Sequence, residues 1–383
     1  MNYRLTVLTP TLVGDGDRLS PIDYMVWKDQ VNVLDQRRIF KLLAKGPRLD
    51  GYLLQLSRVQ KLDFASWGGF AQNYPSRRIP FESFSMTPVW ERTHAEHCFI
   101  PTFCSGPSGA YLPASALKGA LRTGLLYSLW REKDNINERA LAQIREDRVP
   151  RRLAPAMEET SLGGANTDRL RNTMLGDSRP VARDAFKVYL LRTSTVVPKG
   201  NDQYELGWKG LGRGASRAED ALPTFAEMAA PGTLFTGHCA VNAFYAQEEV
   251  RQALRWRDPV TPAKLAEAAN AWSAQSLLLH LQYAERLKLK ALAAEIARLR
   301  QCVAEAQAKP ASCVVNLGWG AGLLGKSATL DTDSESGRKL MRELPYYQRA
   351  VQTGLPFPKT RRIVFRDGLP STLPGWGVLD FEL

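Results

Sequence analysis

The stretch YLPASALKGALRTGLLYSL, residues 111–129, predicts a helix over 114–128 that carries two permanent cations among its leucines. At about 100° per residue, Ser115, Lys118 and Arg122 fall within roughly 60° of one another. The opposite arc is apolar or small and consists of Leu117, Ala120, Leu121, Gly124 and Leu125. A hydroxyl and two cations beside the free N–H groups of a helix N-terminus favour anion binding, although a solvated amphipathic helix gives the same pattern.

The charge of the whole chain points in the same direction. Its 383 residues include 51 Lys and Arg against 39 Asp and Glu, so the net charge is +12. This excess favours a polyanionic partner such as a nucleic acid, while an acidic membrane surface or a merely soluble basic protein also fits. A hydrophobic content of 44% predicts a globular protein, and the length predicts two or three structural units.

Targeting and redox signals indicate a cytoplasmic protein without a membrane partner. Residues 1–16 lack the basic and long apolar regions of a signal peptide, and no apolar run reaches the ~18 residues that span a bilayer. The cysteines are odd in number and form no CxxC pair, which predicts free thiols in a reducing compartment. They are Cys98, Cys104, Cys239, Cys302 and Cys313.

Helices and strands are interleaved without a regular βα repeat, which favours an α+β fold over a doubly wound sheet. Further helices are predicted at 36–45, capped by Asp35, at 131–148, and over 262–308 before Pro310. Strands are predicted at 3–13, on both sides of a turn at 28–30, and at 185–197, 232–245, 313–317 and 361–366, the last of these closing the chain. Loops and hairpins are predicted at 46–110, and a polar hairpin at 198–214.

Residues 316–327, NLGWGAGLLGKS, match both GxGxxG and the P-loop expression GxxxxGK[ST]. A P-loop needs a helix after its GK[ST], and the following ATLDTDSESG is a poor helix former. The segment therefore predicts close backbone approach to a ligand rather than a nucleotide-binding fold. Lys326 offers a cation for a phosphodiester, and Trp319 offers a ring for stacking.

A second glycine pair follows the first strand in LTPTLVGDGDRLSP, residues 8–21. Gly14 and Gly16 allow a sharp turn, and Arg18 follows them. An ordinary strand-ending turn explains this segment equally well when it is taken alone.

The chain offers little for metal binding or catalysis. In HAEHCFIPTFC, residues 94–104, the His and Cys spacing matches no zinc finger or ribbon, so we expect no metal and no cofactor. No GxSxG, HExxH or Cys–His signature occurs. Asp23, Asp35 and Asp177 suit capping or turn positions as well as catalytic ones.

Taken together, three motifs resemble the RAMP superfamily of CRISPR proteins, and most closely the family of the fifth Csm subunit of type III-A effector complexes. They are the N-terminal LTPxxxGxGxxLSPxDY, a central P-x-S-x-LKGALRT and a late LGWGxGxxxK. The resemblance runs from residue 6 to about 327. Ala114 and Ala116 stand where relatives often carry Gly or Ser, which is a minor departure.

This resemblance implies a ferredoxin-like (RRM-like) core with a large helical insertion and a C-terminal glycine-rich loop module. We divide the chain into an N-terminal RAMP domain, 1–245, with inserted hairpins and loops, and a C-terminal part, 246–383. The second part holds the helical segment and the module with the glycine-rich loop.

The resemblance further implies a non-catalytic subunit that binds guide RNA (crRNA) and caps the 3′-end side of a Csm complex in antiviral defence. It would support maturation of the crRNA 3′ end, with a host nuclease recruited for the cleavage. Its partners would be crRNA, target RNA, the adjacent backbone RAMP subunit and the small subunit.

Three groups of residues are expected at the RNA. A fourth group, Arg192 and the 198–214 hairpin with Trp208 and Lys209, is expected to wedge against the guide–target duplex as a thumb. The predicted RNA-binding residues are Gly14, Gly16, Arg18, Ser115, Lys118, Arg122, Arg192, Trp208, Lys209, Gly318, Trp319, Gly320, Gly322 and Lys326. Two alternatives stay open. One is a catalytic RAMP ribonuclease that cuts target RNA or processes crRNA, with Asp35 or Asp23 as the residue to test. The other is a P-loop nucleotidase that uses Lys326.

Overall fold

The computed structural model describes residues 1–58, 61–62, 73–131, 136–147, 153–200, 203–212, 214–256 and 260–382. The described chain combines helices with antiparallel sheets, in agreement with the predicted mixture of helices and strands. Its helices are α1 (Gln36–Leu43), α2 (Leu49–Ser57), α3 (Met86–Arg92), α4 (Ala114–Arg131), α5 (Ile136–Asp147), α6 (Leu153–Leu162), α7 (Glu248–Ala253), α8 (Pro262–Arg286), α9 (Lys290–Gln307), α10 (Glu335–Glu343) and α11 (Pro345–Val351).

The strands are mostly short. They are β1 (Asn2–Val7), β2 (Arg18–Leu19), β3 (Tyr24–Trp27), β4 (Gln30–Leu34), β5 (Pro75–Pro80), β6 (Ile100–Pro101), β7 (Ser105–Gly106), β8 (Gly109–Ala110), β9 (Thr173–Ser178), β10 (Phe186–Gly200), β11 (Gln203–Lys209), β12 (Gly214–Ala215), β13 (Thr224–Ala229), β14 (Leu234–Val241), β15 (Ser312–Asn316), β16 (Thr360–Arg366), β17 (Leu369–Thr372) and β18 (Trp376–Glu382).

The first main sheet has the strand order β15-β18-β1-β14-β9, and every neighbouring pair is antiparallel. Alternation along β1 buries Tyr3, Leu5 and Val7 on one face. These side chains share a core with the buried leucines of α4 and with Leu265 of α8. The two helices therefore cover one face of this sheet.

Helices α4 and α8 approach each other closely because Gly124 has no side chain. A Cβ added to Gly124 would lie 2.7 Å from the Cα of Ala269. Helix α8 also closes the open edge of β15. The side-chain amide of Asn270 donates to the Ser312 carbonyl (2.8 Å) and accepts from the Val314 N–H (2.9 Å), as a neighbouring strand would.

The second main sheet has the order β12-β11-β10-β16-β17, and β13 also pairs with β10. β10 is 15 residues long and pairs with β13 along its first half and with β11 along its second. One face of this sheet packs against α8 and α9 in a second core that includes Val188, Leu190 and Ile363.

Most of the predicted elements are confirmed. Asp35 caps α1 by accepting the Arg38 N–H at 3.0 Å, and the helix predicted over 114–128 is α4. The segment 262–308 is helical but broken into α8 and α9 at Leu287–Leu289, where Lys288 adopts a left-handed φ of 57°. Strands β9 and β13 were not predicted.

The prediction that 361–366 closes the chain is wrong, because β17 and β18 follow it. β18 lies between β1 and β15, so the end of the chain completes the sheet that its beginning starts. The division at 245/246 stays a prediction. Residues 201–202 and 213 of the predicted 198–214 hairpin lie outside the described residues, and none of the described helices is long and apolar enough to cross a membrane.

Candidate nucleic-acid interface

The loop after β1 and the glycine-rich loop after β15 are joined directly. The Trp319 N–H donates to the Leu12 carbonyl at 2.7 Å. Gly318, with φ +74°, lies so close to Leu12 that a Cβ would overlap the Leu12 carbonyl oxygen. Two segments more than 300 residues apart in sequence thus form one surface, and this contact requires a glycine.

A cleft of about 790 Å³, called the first cleft below, lies between these two loops and α4. The loop after β1 contributes Gly14, Gly16 and Arg18, and the glycine-rich loop contributes Gly318, Trp319 and Lys326. The helix contributes small side chains, and residues near β6 complete the wall. These are Ala116, Gly119, Ala120 and Thr123 of the helix, and Phe99, Pro101 and Thr102.

The charged groups of the first cleft are mainly cationic. Arg18 and Lys326 are exposed, and neither forms a salt bridge within the described part of the chain. The guanidinium of Arg18 lies 4.5 Å from the ring centroid of Phe99, which holds it at the cleft wall. Asp17 is the one carboxylate among the described lining residues. The cleft can therefore accept an anion without first breaking an ion pair.

The cationic face of α4 points away from the first cleft. The Lys118 ammonium donates to the Thr173 carbonyl at 3.0 Å. The Arg122 guanidinium pairs with Glu158 at 2.7 Å and with Asp168 at 2.5 Å. At the start of the helix, the Ala114 N–H donates to the Asp177 carboxylate at 2.7 Å.

These contacts give Lys118 and Arg122 partners within the chain, and the anion clamp of Ser115, Lys118 and Arg122 stays a prediction. Burial lowers the pKa of Lys118. Burial also acts to lower the pKa of Arg122, but its hydrogen bonds to Asp168 and Glu158 outweigh this and raise it. Asp177 therefore satisfies one N–H at the helix terminus, and Glu158 and Asp168 neutralise Arg122, so an anion at this face would compete with carboxylates of the same chain.

The predicted thumb is corrected. Trp208 is only 2% exposed and packs edge-on against Phe365, with ring centroids 5.5 Å apart. Arg192 is 5% exposed, and its guanidinium lies 5.1 Å from the centroid of the same Phe365 ring. Neither side chain is available to wedge into a duplex. Of the three residues predicted for the thumb, Arg192, Trp208 and Lys209, the last alone is exposed.

A second cleft of about 480 Å³ lies on the other side of the glycine-rich loop. Gly320 and Gly322 line it together with Lys209, and Asn316 lines both clefts. Its wall also contains Lys359, Arg361 and Arg362 at the start of β16, which were not predicted as site residues. The signal in the sequence was the pair of adjacent arginines that opens the predicted strand RRIVFR.

The candidate catalytic aspartates have structural roles. Asp35 caps α1. Asp23 accepts hydrogen bonds from the Ser20 N–H at 2.7 Å and from the Gln36 amide at 2.9 Å. No group of three or more His, Cys, Asp or Glu residues suited to a metal occurs in the described ranges.

The P-loop alternative does not fit the described geometry. β15 is the edge strand of an antiparallel sheet. The residues after Lys326 form turns and irregular backbone, and the next helix begins at Glu335. A P-loop lysine is instead followed directly by a helix whose N-terminus faces the phosphates.

The family model of the RAMP superfamily matches residues 4–324, and the chain therefore belongs to this superfamily, which confirms the predicted resemblance. The fold is similar to a chain of a cryo-EM structure of a Csm–crRNA–target RNA ternary complex from a type III-A CRISPR–Cas system. That match has a TM-score of 0.68 and 21% identity, and covers 99% of this chain and 100% of that chain.

The fold is also similar to the crystal structure of Csm5 from T. onnurineus. This match has a TM-score of 0.60 and 19% identity, and covers 98% of this chain and 99% of that chain. At these identities the likeness concerns the fold. No curated protein sequence matches the chain.

Proposed function

We propose that this protein is a non-catalytic crRNA-binding subunit of a type III-A Csm complex that caps the 3′-end side of the assembly. The observation that carries the proposal is the first cleft, where two glycine-containing loops and α4 meet around Arg18 and Lys326, which form no salt bridge with any described residue. Membership of the RAMP superfamily and the fold shared with a chain of a Csm–crRNA–target RNA complex support it.

In this proposal the RNA backbone follows the first cleft. Glycines at 14, 16 and 318 let the strand approach the protein main chain, and the small side chains of α4 leave room beside it. Arg18 and Lys326 neutralise phosphates, and the ring of Trp319 packs against the nucleotides. Because such contacts position an RNA without reading its bases, little sequence preference is expected.

We also propose that the first sheet is a ferredoxin-like core. The order β18-β1-β14-β9, with α4 between β1 and β9 in the chain and α8 between β14 and β18, supports this assignment. β15 and the glycine-rich loop then form an added C-terminal module. The proposed partners are crRNA, target RNA, the adjacent backbone RAMP subunit, the small subunit and a host nuclease that trims the crRNA 3′ end.

The double variant Arg18→Gln/Lys326→Gln tests the proposal. Each phosphate contact to a single strand contributes about 0.7 to the slope of log Kobs against log salt, so the slope should fall by about 1.4. Affinity for single-stranded guide RNA should fall roughly tenfold or more at physiological salt. Fluorescence anisotropy over a salt series measures both quantities.

The matched control is Arg300→Gln/Lys309→Gln, which removes the same charge from exposed positions at the end of α9. It should leave the slope nearly unchanged. Equal losses in the two double variants would mean that only net charge matters, and no loss in either would reject the cleft as the RNA site.

A further inference from the structure

The guanidinium of Arg361 is buried in the wall of the second cleft. The residue is 8% exposed. Its Nε–H donates to Nδ1 of His280 at 2.9 Å, and its Nη1 donates to the carbonyls of Pro358 (2.6 Å) and Thr360 (2.9 Å). The ring of Tyr283 lies 4.4 Å from the guanidinium carbon. These contacts fix the plane of the guanidinium and leave Nη2 without a hydrogen bond in the described part of the chain.

Within the described part of the chain, no carboxylate compensates this charge. No salt bridge of Arg361 occurs among the described residues, and burial lowers its pKa to about 10, offset only by the nearby Tyr283 hydroxyl. The group therefore stays protonated at neutral pH. A buried cation without a counter-ion is unfavourable unless a ligand supplies the negative charge.

His280 shows how the chain preserves this arrangement. Burial, together with the charge of Arg361, holds the pKa of His280 well below its usual range, so the ring is neutral. Because Nδ1 accepts the hydrogen bond from Arg361, the ring proton lies on Nε2. A neutral acceptor orients the guanidinium without neutralising it.

Three further cations line the same cleft. Arg362 follows Arg361 on β16 and projects from the opposite face of the strand, and its guanidinium carbon lies 4.0 Å from the ring centroid of Trp319. Burial lowers the pKa of Arg362. Lys209 and Lys359 complete the set, and none of the described lining residues is Asp or Glu.

We propose that the second cleft binds phosphate of a nucleotide, with Arg361 as the ligand of one phosphate group and Arg362, Lys209 and Lys359 as further cations along the lining for its neighbours. Resting on the proposed RNA function, we assign this phosphate to the RNA strand where it leaves the first cleft across the glycine-rich loop. Asn316 lines both clefts, and the glycine-rich loop lies between them. The clefts are therefore close enough for one RNA strand to reach both.

Aromatic side chains favour a nucleotide over a simple inorganic anion. Tyr346 and Tyr347 line the cleft, and Tyr346 is 81% exposed. An exposed ring beside a phosphate site provides a surface on which a base can stack. Free nucleotide and RNA share this chemistry, and the experiment separates them.

The test uses the full chain, fluorescent single-stranded RNA and, separately, AMP as probes. Lys359→Gln/Arg362→Gln should lower RNA affinity roughly tenfold and reduce the salt slope by about 1.4, which corresponds to two lost phosphate contacts. Arg361→Met, which removes the central charge, should lower affinity further. If the buried substitution prevents folding, the double variant at the cleft wall still decides the question.

The outcomes differ for the two clefts and the two sources of phosphate. If Lys359→Gln/Arg362→Gln loses RNA affinity and the wild type shows no detectable AMP binding, the bound phosphate belongs to the RNA strand. If the wild type binds AMP and Lys359→Gln/Arg362→Gln does not, the ligand of the second cleft is a free nucleotide. The phosphate site would then be supported even if the protein bound no RNA. If Lys359→Gln/Arg362→Gln binds RNA and AMP as the wild type does, while Arg18→Gln/Lys326→Gln binds RNA more weakly, this inference is overturned. The proposed function is then left intact. Arg300→Gln/Lys309→Gln again serves as the charge-matched control.

Discussion

Gly318 and Gly322 have the same left-handed backbone, with φ of +74° and +70°, but different surroundings. A Cβ on Gly318 would overlap the Leu12 carbonyl, while a Cβ on Gly322 would meet nothing within 4 Å. Backbone conformation is therefore only part of the requirement for glycine at 318. The rest is the close contact between the two loops.

This pair gives a prediction for stability. Gly322→Ala should destabilise the fold by about 1–2 kcal/mol through left-handed strain alone. Gly318→Ala should cost about 1–3 kcal/mol more, because the overlap displaces Leu12 and the Trp319 hydrogen bond. Urea unfolding measures both free energies, and equal losses would contradict the role given to the Leu12 contact.

Single residues also mark what sequence reasoning could not see. Arg18 and Lys326 were predicted at the site and lie in the first cleft. Arg122 was predicted beside them, yet its partners Glu158 and Asp168 come from a distant segment. A helical wheel gives the direction of a side chain but not the charge that the fold brings to meet it.

At the scale of elements, α4 presents three surfaces. Its leucines enter the first core, its cationic face pairs with α6 and the segment before β9, and its small residues line the first cleft. The sequence predicted the first surface. It assigned ligand binding to the second surface, because the third consists of small, uncharged residues that carry no sequence signal for binding.

Two glycines of α4 allow a matched test of its packing. Gly124→Ala should destabilise the protein by about 1–3 kcal/mol, because the new Cβ would lie 2.7 Å from the Ala269 backbone. Gly119→Ala, in the same helix with nothing within 4 Å, should stabilise it by about 0.5–1 kcal/mol. Denaturant unfolding without RNA checks the opposite signs, and destabilisation by both substitutions would show that α4 is not packed as described.

At the scale of the whole molecule, the two sheets are tied together by the elements that build the second cleft. α8 carries His280, β16 carries Arg361, and the glycine-rich loop follows β15. Because His280 is neutral in the folded chain, the free energy of unfolding depends on pH. Because its pKa is held below its usual range in the folded chain, protonation favours the unfolded chain.

The expected pH dependence follows from that sign. The contribution of His280 to stability should be complete above its unfolded pKa of about 6.5 and should decline as pH falls below it, by up to about 1.4 kcal/mol per pH unit. His280→Gln, whose amide oxygen can still accept from Arg361, should flatten this decline. Urea unfolding between about pH 5 and 8 gives both curves. Parallel curves for the two proteins would contradict a neutral buried His280.

The sequence by itself determined most of the elements, the mixture of helices and strands and the two loops rich in glycine, because local propensity and hydrophobic period depend on neighbouring residues. The tertiary structure alone decided which cations are free. It gave Lys118 and Arg122 internal partners, buried Trp208, and brought Arg361 and Arg362 to a cleft whose described lining contains no carboxylate. The physical reason is that the environment of a charge depends on groups remote in sequence, which meet only when the chain has folded.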